Sequence, residues 1–119
     1  MYNDIKKLRF VLEKIDDVFS FKDEFGSVEK LLNSKLGYDA TLMCIVQIGE
    51  TLKKKFSSNF YEKYENLLPI NQSYWTRNYI AHDYEGINKL IIEGIVREHL
   101  PKLKTTIETI LSELENSKK

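Results

Sequence analysis

The apolar residues of this chain recur in steps of three and four almost from end to end, and little interrupts them. Only 5 Gly and 2 Pro occur in 119 residues. A sustained 3.6-residue period predicts amphipathic helices, and no segment alternates in steps of two, so no strand is predicted. The length fits a single domain spanning 1–119. Hydrophobic residues at 42% and charged residues at 30% place it among globular rather than disordered chains. The expected fold is all-α: an antiparallel bundle of four main helices plus one or two short ones.

Ile5, Leu8, Leu12, Ile15 and Phe19 form one apolar stripe, which predicts a helix from about Asn3 to Phe19, capped by Asn3 or Asp4. Phe21 to Gly26 reads as a loop. Ser27 caps a short helix through Leu31 and Leu32 that ends near Asn33. A long helix follows from about Lys35 to Lys55, with Leu42, Ile45, Ile48, Leu52 and Phe56 inward. Gly49 within it allows another backbone to come close. Lys53, Lys54 and Lys55 suit the negative end of that helix's dipole, with a phosphate-binding patch as the alternative. A short helix from Asn59 to Leu67 ends at Pro69. Asn71 or Ser73 then caps a helix carrying Tyr74, Trp75, Arg77, Asn78 and His82. Gly86 marks a turn, Ile87 to Arg97 is helical, and Pro101 predicts a break or kink. Leu103, Ile107, Ile110, Leu111 and Leu114 make the last helix, and 116–119 a frayed tail.

Charge narrows the function. Eighteen basic residues balance eighteen acidic ones, which excludes binding nucleic acid by bulk charge but leaves room for a local patch. One cysteine excludes an internal disulfide; Cys44, inside Leu42-Met43-Cys44-Ile45-Val46, reads as a buried core thiol. The N-terminus has no apolar signal segment, and no apolar run reaches the ~20 residues that span a bilayer. The expected location is the cytoplasm, with no membrane contact.

One segment concentrates reactive side chains: Tyr74-Trp75-Thr76-Arg77-Asn78-Tyr79-Ile80-Ala81-His82-Asp83-Tyr84. The chain has 2 His and three arginines, Arg9, Arg77 and Arg97, and one of each lies here five residues apart. At ~100° per residue, Asn78 and His82 share a face, and a continued helix aligns Arg77 with Tyr84. Arg77 and His82 diverge by ~140° and would flank a groove. Two copies of this helix meeting across a two-fold axis would bring both sets to one cleft. An imidazole moves a proton, and a guanidinium forks a phosphate and steadies charge growing on it. Together they suffice to cleave RNA without a metal: a 2′-hydroxyl attacks the adjacent phosphorus, leaving a 2′,3′-cyclic phosphate and a 5′-hydroxyl. No metal-ligand spacing and no glycine-rich phosphate loop is present. His82 as a structural helix residue and Arg77-Asn78 as an ordinary surface pair are the alternatives on spacing alone.

Arg77-Asn78-Tyr79-Ile80-Ala81-His82 fits the R-X4-6-H signature of HEPN domains, and the extension His82-Asp83-Tyr84 resembles the longer R-X4-H-X-Y form of HepT toxins. Ile48-Gly49-Glu50 and Leu100-Pro101-Lys102-Leu103 resemble two flanking family segments, so the likeness spans about Leu42 to Leu111. Thr51, Thr76 and the position of Trp75 depart from the usual pattern at packing positions. The resemblance implies a HEPN-like bundle and a ribonuclease toxin, with tRNA as the expected RNA substrate. Its partner would be an MntA-type minimal nucleotidyltransferase antitoxin, which transfers AMP from ATP to the motif tyrosine, here Tyr84. The toxin itself would need no cofactor. On this reading Arg77 binds the scissile phosphate and His82 is the general base or acid. Asn78 orients His82 or the phosphate, and Glu50 is a supporting residue that orients Arg77 or faces solvent. His99 would make a dipole contact in the last turn of its helix, and Trp75, Tyr74 and Tyr79 pack in the core or at a homodimer interface formed by the Arg77–Tyr84 helix, with stacking on bases as the alternative. The competing reading is a non-catalytic helical interaction module that binds a nucleotidyltransferase or nucleotide.

Overall fold

The computed structural model describes residues 2–54 and 56–116. Lys55 and 117–119, within the predicted third helix and the tail, lie outside the described residues. All regular structure among the described residues is helical.

Helix α1 (Tyr2–Phe25) buries Ile5, Leu8, Val11, Ile15 and Val18. It runs through the segment predicted as a loop, because Phe21 and Phe25 extend the stripe by packing on the core and no breaker intervenes before Gly26. Gly26, at φ 101°, then stops the helix in the left-handed conformation that glycine tolerates. Ser27 caps α2 (Val28–Asn33) by accepting from the Lys30 amide at 3.1 Å. Ser34 caps α3 (Lys35–Lys53) in the same way through the Gly37 amide. Helix α4 is Ser58–Tyr64, shorter than the predicted 59–67 because turns already bend the chain between Glu65 and Leu67. Asp4 of α1 accepts from both the amide and the hydroxyl of its cap Ser57, at 2.9 and 2.7 Å. Burial pushes the Asp4 carboxyl up and the Ser57 hydrogen bonds, among other lowering interactions, push it down; the balance lies below the usual carboxylate value.

Helix α5 (Ile70–His82) starts directly after Pro69, ahead of the predicted caps Asn71 and Ser73, with no side-chain cap. Proline's fixed φ suits a helix start, so a polar cap is dispensable here. A 3-10 turn (Tyr84–Gly86) follows. Helix α6 (Lys89–Gly94), a π turn (Ile95–His99) and α7 (Leu100–Asn116) then run on as one rod. The break expected at Pro101 is replaced by this π turn. The Leu100 amide reaches back five residues to the Ile95 carbonyl, and the widened turn makes room for a ring that an α-helical interior would not accept.

Four long elements, α1, α3, α5 and the α6–α7 rod, form the bundle, and α2 and α4 are the short helices. Asp16–Lys104 at 2.7 Å and the Arg9–Glu115 pair set α1 and α7 antiparallel. Leu8, Leu31, Leu52, Ile92 and Ile107 are fully buried at the centre. Cys44 is buried, and that burial pushes its thiol up, as suits a packing residue. No helix of the described residues is long and apolar enough to cross a membrane.

Candidate active site

The site lies along the seam where α3 and α5 run antiparallel. Gly49 makes this seam tight: a Cβ there would sit 2.5 Å from the Ser73 carbonyl oxygen and 2.8 Å from Arg77 Cβ. The absent side chain lets α5 close on α3, and the next residue, Glu50, meets Arg77. Thr76 and Ile80 turn α5 inward, which leaves Tyr74, Asn78 and His82, at steps of four, along one stripe of its outer surface.

Arg77 is held at two points. Its Nε donates to Glu50 Oε1 at 3.2 Å, and its NH1 donates to Asn78 Oδ1 at 3.0 Å. Its side chain is 29% exposed. A guanidinium carries five N–H donors, so both ties fix the plane while other donors stay available to a phosphate. Glu50 thus contacts Arg77 from the neighbouring helix. Asn78 contacts Arg77 rather than His82. His82 closes α5 on the exposed surface, with no side-chain hydrogen bond among the described residues.

Helical steps do not carry the alignment of Arg77 on to Tyr84. Helix α5 ends at His82 and Asp83 leaves helical geometry (φ −131°, ψ 32°), so the extrapolated stripe does not reach Tyr84. Its hydroxyl donates instead to Asp39 Oδ1 on α3 at 2.5 Å, and Lys35 Nζ donates to Asp39 Oδ2 at 3.2 Å. The hydrogen bonds from Tyr84 and then Lys35 hold Asp39 below the usual carboxylate value. The bond to Asp39, with a smaller part from burial, raises Tyr84 above the usual phenol. Asp39 and Lys35 were not anticipated from the sequence. Their signal was present: Asp39 precedes Glu50 by eleven residues, three turns, so both lie on one face of α3.

The remaining expectations divide. Trp75 and Tyr79 stack on each other, with ring centroids 5.3 Å apart, and Tyr79 Oη accepts from the Asn88 amide. Trp75 is not in the core; it is 58% exposed and lines a groove of about 550 Å³ with Leu90, Ile91 and His99. His99 belongs to the π turn inside the continuous rod, so there is no helix end for it to serve. Lys53, in the last turn of α3, reaches Asn71 Oδ1 at 3.4 Å and the Tyr74 ring at 5.4 Å. No group of three or more metal-ligating side chains occurs among the described residues.

Residues 11–110 match the family described as Ribonuclease HepT-like. Several proteins of Methanocaldococcus jannaschii are similar over most of this chain. "Putative RNase MJ1380" is 30% identical over 90% of this chain and 96% of its own. "Putative RNase MJ0125" is 28% identical over 94% and 95%. "Gamma-glutamylcyclotransferase and putative RNase MJ0434" is 31% identical over 99% of this chain and 52% of its own length. No solved structure matches at a significant level. Carrying the Arg77–His82 motif on α5 of an all-helical bundle, the chain belongs to the HepT-like ribonuclease family.

Proposed function

We propose that this protein is a metal-independent endoribonuclease toxin that cleaves RNA, with tRNA as the substrate class, and is silenced by AMP transferred to Tyr84. The observation that carries the reading is the double tethering of Arg77 by Glu50 and Asn78, five residues from an exposed, uncommitted His82 on the same helix. A tethered guanidinium is preorganised for a phosphate that becomes more negative at the transition state. His82 removes the 2′-hydroxyl proton. That oxygen bonds to phosphorus, the bond to the 5′-oxygen breaks, and the imidazolium returns the proton to the leaving oxygen. The products are a 2′,3′-cyclic phosphate and a 5′-hydroxyl. None of these steps uses a metal or a cofactor.

The active form on this reading is a homodimer through α5, in the cytoplasm. The exposed Trp75, Leu90 and Ile91 beside that helix support such an interface. An MntA-type nucleotidyltransferase is the antitoxin, using ATP to modify Tyr84. Exposure of Tyr84 at 48% supports access to that hydroxyl.

The test incubates unmodified protein with total tRNA in EDTA, beside Arg77→Ala and His82→Ala. Cleavage by wild type and by neither variant supports the reading. Wild-type-like cleavage by either folded variant removes that residue's role. Absence of cleavage by wild type across RNA classes favours the interaction module.

A further inference from the structure

Lys53 stands in the last turn of α3, where a lysine ordinarily faces its own helix's terminal carbonyls. Here it reaches across the seam. Its Nζ lies 5.4 Å from the Tyr74 ring centroid and has Asn71 Oδ1 as a weak 3.4 Å partner, with no carboxylate partner among the described residues. The same ring carries the Arg77 guanidinium at 6.0 Å. One tyrosine ring therefore stands beside two cations, of which Arg77 is the phosphate binder of the reading above. From Lys53 the order along the seam is Tyr74, Arg77 with Asn78, then His82. Tyr74 to His82 covers eight residues of helix, ~12 Å, a length that a few nucleotides of a strand can follow.

Beside Lys53 a cleft of about 370 Å³ opens, with Tyr61, Glu65, Asn66, Ile70 and Asn71 among its walls. Its aromatic wall is fixed in place: the Tyr61 hydroxyl donates to the Lys54 carbonyl at 3.2 Å, and its ring meets Phe56 edge-on. The volume suits one nucleobase. A ring face, two side-chain amides and a carboxylate acceptor are the groups that stack on a base and read its edges.

We propose that Lys53, Tyr74 and this cleft form a subsite for the nucleotide neighbouring the scissile phosphate of single-stranded RNA. Lys53 takes that nucleotide's phosphate, the Tyr61 cleft takes its base, and the Tyr74 ring stands beside Lys53 and Arg77. The inference rests on Arg77 and His82 being the cleavage pair. It assigns local affinity to a chain whose net charge is zero, where bulk attraction to RNA is absent.

The experiment uses a short fluorescent single-stranded RNA and His82→Ala protein as the binding species, with Lys53→Ala, Lys53→Arg and Tyr61→Ala added singly and folding checked by circular dichroism. Lys53→Ala is expected to weaken binding about five- to tenfold and to lower the slope of log affinity against log salt by about 0.7, the share of one single-strand phosphate. Lys53→Arg restores both, and Tyr61→Ala weakens binding at least about fivefold through lost stacking. In protein that retains His82, Lys53→Ala is expected to raise KM with little change in kcat. Unchanged affinity and salt slope in folded Lys53→Ala overturns the proposal. So does AMP alone competing as tightly as the strand, which makes the cleft a mononucleotide site. Failure of the cleavage reading is separate: wild type then cuts no RNA, while Lys53-dependent binding persists in His82→Ala.

Discussion

The Tyr84 hydroxyl donates to Asp39 across 45 positions of sequence, and Lys35 holds the other carboxylate oxygen. This clasp joins the turn after His82 to the start of α3. It also sets what AMP on Tyr84 would do. The ester oxygen has no proton to donate, and its phosphodiester brings a negative charge to Asp39, so the clasp cannot survive the modification. Silencing on this view combines a blocked groove with release of the segment that follows His82. Tyr84→Phe removes the clasp without the nucleotide. It is expected to lower cleavage only a few-fold while abolishing AMP incorporation, measured as RNA cleavage and as intact mass after incubation with a nucleotidyltransferase and ATP. Full loss of cleavage in folded Tyr84→Phe would make release alone sufficient for silencing.

The same clasp has a pH signature. Tyr84 is raised above the usual phenol and Asp39 lowered below the usual carboxylate. A raised group stabilises the folded state fully below its unfolded value, and the effect is lost as pH climbs through the folded value. A lowered group stabilises above its unfolded value and is lost as pH falls through the folded one. The clasp should therefore hold from just above the carboxylate range to beyond pH ~10. Phenolate absorbance, taken as the difference between wild type and Tyr84→Phe, should show Tyr84 titrating late, and Asp39→Asn should bring it earlier.

Glu50 is expected to act on Arg77 alone. Glu50→Ala frees the Nε edge, and kcat should fall by up to about a hundredfold through misplacement of the guanidinium, with stability little changed. Glu50→Gln, which can still accept from Nε, should recover most of it. Arg77→Lys has no fork to offer a phosphate and should stay inactive even with Glu50 intact. Single-turnover cleavage by the four proteins decides it, and equal rates for Glu50→Ala and wild type would leave Glu50 a surface carboxylate.

Gly49 couples the fold to the site. In Gly49→Ala the new methyl meets the Ser73 carbonyl oxygen, which is backbone and cannot rotate aside. Helix α5 must move outward, at a cost of ~1–3 kcal/mol. Urea unfolding should register the loss, and cleavage should drop further than Glu50→Ala alone explains, because α5 carries both Arg77 and His82.

Sequence periodicity was enough for the helical bundle, the cap Ser27 and the close approach at Gly49, while the cap Ser34 emerged only in the structure. It failed where a local rule met tertiary packing. Phe21 and Phe25 kept α1 going because the core had room for two more rings. Pro69 began α5 without the polar cap that was sought. Pro101 did not break its rod because a π turn took the misfit, and nothing in Ile95–His99 announces one. At the site, a contact of Glu50 with Arg77 was one of two options legible beside Gly49, whereas the tie of Asn78 to Arg77 rather than to His82 was not. Tyr84 was misplaced because extrapolating ~100° steps assumes that the helix continues, and α5 stops two residues short of it. Lys53 looked like a dipole partner, since its attraction to Tyr74 depends on a packing angle that spacing does not encode.

Tyr64 offers a stability test remote from the site. It is 2% exposed, and its hydroxyl donates to Glu113 Oε2 at 2.8 Å, tying α4 to α7. Burial, reinforced by the bond to Glu113, pushes this phenol up to about 12. Its folded value lies above its unfolded one, so the stabilisation is complete below pH ~10 and vanishes as pH climbs toward about 12. Tyr64→Phe keeps the ring and its packing on Phe60 but removes the donor, at an expected ~0.5–1.5 kcal/mol near neutral pH. Chemical denaturation should therefore favour wild type at pH 8, and that advantage should shrink and then reverse as pH climbs above ~10. A difference that persists undiminished through the titration would mean that the Tyr64 phenol ionises no later in the folded chain than in the unfolded one.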